Sequence, residues 1–158
     1  MAPVLVACIG NEFAGDDAFG PLVARALAER SPEGVEAIDL ATKPYGLLDH
    51  LGSRKMLIIV DAADVPGAQP GELFQCAWDS PDRPALLRQR SASTHGISVA
   101  EQMELAARLG MLPPQVLLIA AQAGRTDMGD SPCAAVCQSV REAVNRICAL
   151  ARTVSCSS

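Results

Sequence analysis

With 158 residues, of which 49% are hydrophobic and 20% charged, the chain has the composition of one globular domain and can bury a core without disulfides or metal staples. Its net charge of -5 and the lack of a basic run argue against nucleic acid as a partner. No apolar run approaches the roughly 20 residues of a membrane-spanning helix, and no export signal is recognisable, so we expect a cytoplasmic protein.

The first half of the chain alternates apolar runs with segments of helical spacing. An apolar run that ends at Gly10 is typical of a strand buried on both faces. After a loop over residues 10–20, Pro21 suits the first helical position, where a proline loses no intrahelical hydrogen bond. The predicted elements are a strand at Val4–Ile9, a helix from Pro21, a strand at Val35–Asp39, a helix at Tyr45–Leu51 and a strand at Met56–Val60 that runs into Asp61.

The second half contains one long connection between its predicted elements. Ser98 and Glu101 have the spacing of a capping box, which predicts a helix that begins at Ser98. The predicted elements are a strand at Gly71–Ala77, a connection at Trp78–Thr94, a helix from Ser98 to about Gly110, a strand at Val116–Ala121, a helix from Pro132 to about Ala151 and a frayed tail at 153–158.

This order predicts an α/β fold in a single domain that spans residues 1–158. Strands that are buried on both faces and alternate with helices form a mostly parallel, twisted sheet, here of about five strands. Helices then cover both faces of the sheet, which makes a three-layer sandwich.

Six cysteines invite a metal or redox interpretation, but no pair has C-x-x-C spacing. Cys133 and Cys137 lie four residues apart and would share a helix face, so a metal or redox pair there is one alternative. Core packing is the favoured alternative, because these cysteines continue an apolar stripe. The stripe comprises Cys133, Val136, Cys137, Val140, Val144, Ile147, Cys148 and Ala151.

Three polar residues could meet at one edge of the sheet. Asp17 lies in the loop after the first strand, and Asp61 ends the third predicted strand. Ligands of open parallel sheets bind outside the carboxyl ends of the strands, and the loop that contains His95 could reach the same edge. Two carboxylates and an imidazole suit a borderline divalent ion such as nickel or zinc.

Structural roles compete with this interpretation. Acids at strand ends often cap helices or order loops, and a loop histidine can hydrogen-bond a helix start. His50, near the end of a short predicted helix, is favoured as a partner of the helix dipole over a metal ligand. The glycines of the first loop lack the Gly-x-Gly-x-x-Gly pattern and the Gly-Lys-Ser/Thr ending of phosphate loops. Serine-hydrolase and H-E-x-x-H templates are also absent.

Three segments, taken together and in this order, resemble a known family. They are Gly10-Asn11 with Gly15-Asp16-Asp17-Ala18-Phe19-Gly20, then Leu57-Ile58-Ile59-Val60-Asp61-Ala62, then Ser93-Thr94-His95-Gly96-Ile97. The pattern is similar to that of the endopeptidases that mature the large subunits of nickel–iron hydrogenases. The resemblance extends from about Val4 to the last helix.

The resemblance implies a five-stranded sheet between helices and a metal-binding, catalytic trio at Asp17, Asp61 and His95. It further implies removal of a C-terminal extension from a hydrogenase large-subunit precursor, with nickel carried by that precursor as the metal and a monomeric enzyme. Zinc is another divalent ion that these donors would accept. A non-catalytic, metal-binding assembly chaperone with the same trio is the alternative function, and a small-molecule-binding domain whose acids only order loops is a further one.

One segment departs from the family pattern. Family members often carry a glycine-rich D-G-G-T or similar segment after the second strand, whereas this chain has Asp39-Leu40-Ala41-Thr42. The missing glycines weaken the expectation that this edge recognises substrate as it does in the family. They do not change the expected trio.

Overall fold

One five-stranded sheet organises the part of the chain that this computed structural model describes, namely residues 1–42, 46–83 and 98–156. The strands are β1 (Val4–Cys8), β2 (Val35–Asp39), β3 (Met56–Ala63), β4 (Leu73–Ala77) and β5 (Gln115–Gln122). Their order across the sheet is β2-β1-β3-β5-β4. The strands β2, β1, β3 and β5 run parallel to one another, and β4 pairs antiparallel with β5 at the edge.

Helices cover both faces of this sheet. The helices in the described ranges are α1 (Phe19–Arg30), α2 (Leu47–His50), α3 (Val99–Arg108) and α4 (Ala134–Cys156), and a 3-10 turn spans Gly15–Ala18. Apolar residues of α1 and α4 pack on one face, and those of α2 and α3 pack on the other. The predicted three-layer α/β sandwich with a mostly parallel sheet is therefore confirmed. None of the described helices is both long and apolar enough to cross a membrane.

The two central strands supply the core of both layers. Leu5 pairs in register with Leu57, and the next pair is Val6 with Ile58; all four side chains are fully buried. Since successive side chains of a strand point to opposite faces, each strand contributes to both apolar clusters. Burial of one such side chain contributes about 2 kcal/mol, so these two strands supply a large part of the apolar burial that stabilises the sheet.

Several predicted boundaries shift in the structure. β3 continues past Val60 to Ala63, because its ladder with β5 extends to the pair Ala63 and Gln122. Asp61 therefore lies within the strand and does not follow it. The first long helix begins at Phe19, two residues before the predicted Pro21, because the 3-10 turn leads directly into it. Pro21 still lies in the first turn, where backbone N–H groups have no intrahelical acceptor.

The last helix is longer than the sequence pattern suggested. It extends to Cys156 and includes residues that were assigned to a frayed tail, because Val154 continues the buried stripe beyond Ala151. One member of the predicted stripe is wrong: Cys137 is exposed, whereas Cys148 is buried and Cys133 half-buried. The stripe passes instead through Ser139 and Ala143.

The capping box at the start of α3 is confirmed. The Ser98 hydroxyl accepts a hydrogen bond from the backbone N–H of Glu101 at 3.2 Å, and the Glu101 carboxylate accepts one from the backbone N–H of Ser98 at 2.6 Å. The short predicted helix is present at Leu47–His50, while Tyr45 lies outside the described residues. Most of the predicted long connection Trp78–Thr94, namely its residues 84–94, lies outside them too.

A buried arginine joins three segments at the amino end of the sheet. The Arg54 side chain is 2% exposed and donates to the carbonyl of His50 at 2.8 Å, the carbonyl of Ala2 at 2.7 Å and the carboxylate of Glu36 at 2.5 Å. The second oxygen of Glu36 lies 3.0 Å from Nδ1 of His50. Each of the three guanidinium nitrogens thus donates a hydrogen bond, and no sequence pattern indicated this cluster.

This cluster makes stability depend on pH in a definite direction. The hydrogen bond from Arg54 lowers the pKa of Glu36 below its ordinary value of 4.5. A carboxyl group with a lowered pKa in the folded state stabilises the fold above its unfolded pKa and loses that contribution as the pH falls through the folded pKa. We expect the free energy of unfolding to fall more steeply below pH 4.5 in the wild type than in Glu36→Gln, as measured by chemical denaturation. Parallel pH profiles for the two proteins would contradict this.

Candidate active site at the carboxyl ends of the strands

Two acids flank the point where strand order reverses. From β1, the chain proceeds to β2 on one side, while β3 pairs with β1 on the other. Asp17 lies in the 3-10 turn that follows β1, and Asp61 lies near the carboxyl end of β3. A crevice at such a switch point is the usual ligand site of open α/β sheets.

Two glycines allow the first loop to fold back onto β1. A Cβ atom at Gly10 would collide with the backbone carbonyl of Asp17, and one at Gly20 would collide with the backbone carbonyl of Ile9. The φ of Gly10 is also +152°, which disfavours other residues there. The glycines of the sequence pattern thus have a steric role, which is to bring the turn close to the strand end.

Asp17 is fixed in this turn and nearly buried. Asp17 is 7% exposed, and its backbone N–H donates to the carbonyl of Ala14 at 3.0 Å. Its carbonyl accepts from the N–H of Asn11 at 3.1 Å. The turn itself contacts β3, the strand that carries Asp61. The structure therefore brings the first two predicted site residues to one edge and onto elements in contact.

Asp61 is buried to a similar degree, at 4% exposure. One of its carboxylate oxygens accepts a hydrogen bond from the backbone N–H of Ala62 at 2.8 Å. Strand alternation places Asp61 on the same face as Leu57 and Ile59, which is the face covered by α2 and α3. Asp61 therefore faces the helical layer whose helix α3 begins four residues after His95 in the sequence.

His95, the third predicted member of the trio, lies outside the described residues. Within the described ranges, no group of three or more histidine, cysteine, aspartate or glutamate residues is arranged to bind a metal. A site built from two carboxylates and His95 therefore remains a prediction. The other histidine, His50, belongs to the Arg54 cluster at the opposite end of the sheet, in agreement with the structural role favoured for it.

Sequence reasoning missed the role of Asp16, which is 1% exposed. Its Oδ2 accepts from the backbone N–H of Gly124 at 2.7 Å and of Arg125 at 3.2 Å, and its Oδ1 accepts from that of Cys133 at 2.7 Å. Its own N–H donates to the carbonyl of Arg125 at 2.7 Å. Asp16 thus ties the first loop to the loop after β5 and to the residue before α4.

The bond to Cys133 also compensates a feature of the last helix. α4 has no acidic residue in its first turn, and Asp16 supplies a carboxylate at that end from a distant segment. A negative charge stabilises the positive end of a helix dipole. The only sequence signal was the adjacent pair Asp16-Asp17, of which Asp16 has this structural role.

Cys8 is the cysteine nearest in sequence to the first loop, and its environment argues against a nucleophilic role. It is fully buried at the end of β1, and this burial raises the pKa of its thiol. Because the thiolate is the reactive form, a raised pKa makes Cys8 a packing residue. Cys8 is therefore not a candidate nucleophile of this site.

The fold and these carboxylates define the class as a doubly wound α/β protein with an acidic site at the strand switch. Comparison with known proteins identifies the family. The family model for hydrogenase maturation protease matches residues 21–151. The chain therefore belongs to the hydrogenase maturation protease family. The matched range contains Asp61 and His95 and begins four residues after Asp17.

Curated relatives agree with this assignment. The hydrogenase expression/formation protein HupM of Azotobacter chroococcum mcd 1 is 32% identical over 131 residues, which cover 81% of this chain and 61% of the relative. HoxM of Azotobacter vinelandii is 32% identical over 75% of this chain and 57% of its own length. The chain thus spans little more than half the length of these curated relatives.

Solved structures share the fold. The [NiFe] hydrogenase maturation protease HybD from Thermococcus kodakarensis is 26% identical, with a TM-score of 0.74 and coverage of 94% of this chain and 98% of that one. The hydrogenase maturating endopeptidase HybD from E. coli has a TM-score of 0.77 at 24% identity, covering 96% and 93% of the two chains. At that identity, the second comparison supports the fold alone.

The role of Asp16 leads to a stability prediction. Asp16→Ala removes the acceptor of three backbone N–H groups, and we expect it to lower the free energy of unfolding by about 3 kcal/mol. Asp64→Ala is the matched control, because Asp64 is an exposed aspartate just beyond β3 and should change stability by less than about 0.5 kcal/mol. Chemical denaturation measures both. Equal losses in the two variants would refute the structural role of Asp16.

Proposed function

We propose that this protein is an endopeptidase that removes the C-terminal extension of a nickel-loaded hydrogenase large-subunit precursor. The observation that carries the proposal is the burial of Asp17 and Asp61 on contacting elements at the strand switch of a hydrogenase maturation protease fold. Burial of a charged group is costly, so a buried carboxylate at this edge is retained either for structural hydrogen bonds, as Asp16 is, or for function, as we propose for Asp17 and Asp61.

The donor chemistry fits a substrate-held nickel. Asp17 and Asp61 offer carboxylate oxygens, and His95, the third member of the proposed trio, would add an imidazole nitrogen. Such mixed oxygen and nitrogen donors suit a borderline divalent ion such as nickel, and zinc would also be accepted. In this proposal, the nickel belongs to the precursor, and the trio contacts it only after it has been inserted. Cleavage would then depend on metal loading.

The same residues would also position the reaction. Contact with the nickel places the nearby peptide bond against the crevice, where an aspartate can accept a proton from the attacking water. The water oxygen bonds to the carbonyl carbon, the carbon–nitrogen bond breaks, and the proton passes to the leaving amine. Asp17 and Asp61 both lie on regular elements, so their positions are fixed before the precursor binds.

A second candidate is an assembly protein that binds the loaded precursor without cutting it. The curated relatives are named as hydrogenase expression/formation proteins, a description that is compatible with it. Both candidates predict nickel-dependent binding of the precursor, and only the first predicts a released peptide.

The discriminating experiment is mass spectrometry of nickel-loaded and nickel-free large-subunit precursor from the same organism after incubation with the protein. We expect release of a C-terminal peptide from the loaded precursor alone. Asp17→Asn, Asp61→Asn and His95→Gln should each reduce the rate at least ~100-fold, because each removes a charge or a donor from the reacting site.

Two substitutions serve as matched controls. His50→Gln changes the histidine at the opposite end of the sheet, and Asp64→Asn changes an exposed aspartate near the site. Both should retain processing. Nickel-dependent binding without a released peptide would favour the assembly protein, and processing by all three trio variants would exclude the proposed site.

A further inference from the structure

Two thiols at the start of α4 have no role in the candidate active site. Cys133 directly precedes the helix, and Cys137 lies in its first turn. The sequence left core packing and a metal or redox pair open as roles for these cysteines. Core packing fails for Cys137, which is exposed, whereas Cys133 is half-buried and packs against the apolar cluster under the helix. We call these two residues the thiol pair.

The backbone places the thiol pair on one face of the helix. The N–H of Cys137 donates to the carbonyl of Cys133 at 3.0 Å, which is the bond that closes an α-helical turn. Residues with this spacing differ by only about 40° around the helix axis. The sulfur of Cys137 lies 4.0 Å from the carbonyl oxygen of Pro132, so the side chain points back along the helix, in the direction of Cys133.

This spacing suits a shared metal ion better than a disulfide. A disulfide needs Cβ atoms about 3.5–4.5 Å apart, whereas residues one turn apart on a helix have Cβ atoms about 5–6 Å apart. A bridging metal ion adds two metal–sulfur bonds of about 2.3 Å each between the side chains. That longer bridge spans the thiol pair without distortion of the first turn of α4.

One ligand of this pair is anchored and the other is accessible. The N–H of Cys133 donates to Oδ1 of Asp16 at 2.7 Å, and Asp16 is 1% exposed. Cys133 is thus fixed from its backbone as well as by its packing. Cys137 is exposed and gives an ion a path from solvent. An anchored ligand beside an accessible one is the arrangement that a surface metal site requires.

A positive charge lies next to the thiol pair. Arg141 is four residues after Cys137, so the two are neighbours on the helix surface. Arg141 is exposed and has no ion pair in the described ranges, and the residues outside those ranges include no aspartate or glutamate. Two thiolates and a monovalent cation carry one net negative charge, which the guanidinium compensates. A divalent ion would leave no charge to compensate.

We propose that Cys133 and Cys137 form a two-thiolate site for a soft, monovalent metal ion, of which copper(I) is the biological example. Thiolates are the ligands that copper(I) prefers, and two of them are sufficient for it, whereas structural zinc sites use four ligands. Binding replaces the two S–H bonds by two metal–sulfur bonds and releases two protons, with no change in oxidation state. The site is separate from Asp17, Asp61 and His95 and does not depend on the proposed function.

The first test is a competition titration of the reduced, metal-free protein with copper(I), with bicinchoninate as the competing chelator. Cys137→Ser should weaken binding at least ~100-fold, because the loss of one of two linked ligands removes the gain from chelation. Cys133→Ser should have the same effect. Cys156→Ser is the matched control, since Cys156 is exposed at the other end of the same helix, and it should bind as wild type does. Chemical denaturation verifies that each variant is folded.

A second variant separates the spacing of the thiols from their number. Cys137→Ser/Gln138→Cys keeps six cysteines and moves the accessible thiol to a position about 140° around the helix from Cys133. Gln138 is exposed, so the fold should tolerate the change. We expect this variant to bind copper(I) as weakly as Cys137→Ser does.

Three results would overturn the proposal. The first is binding of wild-type strength by the shifted variant, or an equal loss in Cys156→Ser. The second is a complex of two chains per copper ion in native mass spectrometry, which would replace the pair within one chain by a contact between chains. The third is a disulfide between Cys133 and Cys137 after exposure of the metal-free protein to air, since it would make the pair a redox pair. None of these measurements involves cleavage of the precursor, so this site and the proposed function can fail separately.

Discussion

The geometry of the carboxyl edge depends on the carboxylate of Asp16. One buried charge accepts three backbone N–H groups from two segments more than 100 residues away in the chain. A buried charge is tolerable only where such donors replace its hydration, and the donors here belong to the loop after β5 and to the approach to α4. Because Asp17 is the next residue in the same turn, its position is set by this tie. The contacts of the first loop with the loop after β5 and with the start of α4 thus build the site.

The two ends of the sheet use charge in opposite ways. At the amino end, Arg54, Glu36 and His50 form a cluster in which each charge meets a partner, and the cluster joins β2, α2 and the start of the chain. At the carboxyl end, the acids Asp17 and Asp61 are buried on contacting elements. Stability accounts for the first arrangement. A cationic or metal-bearing ligand would compensate the charge of the acids at the carboxyl end.

Much of the fold was predictable because its signals are local. The apolar runs of β1 and β3, the capping box at Ser98 and the bounds of β2 all follow from neighbouring residues. Strand ends were less predictable: the extension of β3 to include Asp61 depends on its ladder with β5, which is a long-range pairing. The same reason explains the missed role of Asp16 and the exposure of Cys137, since both depend on which segments meet in space. Of the trio, sequence located Asp17 and Asp61 at one edge, and His95 remains a prediction.

The turn after β2 is well ordered without the glycines of the family pattern. Leu40 is buried in the core and its N–H donates to Cys8 at 2.8 Å, and neither Leu40 nor Ala41 adopts a positive φ. The turn is instead ordered by Asp39, whose carboxylate accepts from Ala41 and whose carbonyl accepts from the hydroxyl of Thr42 at 3.0 Å. Glycine is needed only where a turn requires a positive φ or a close approach, and this turn requires neither. The Cβ of Ala41 therefore adds a methyl group, which glycine would lack, to the wall of the cleft between residues 10–13 and residues 39–42.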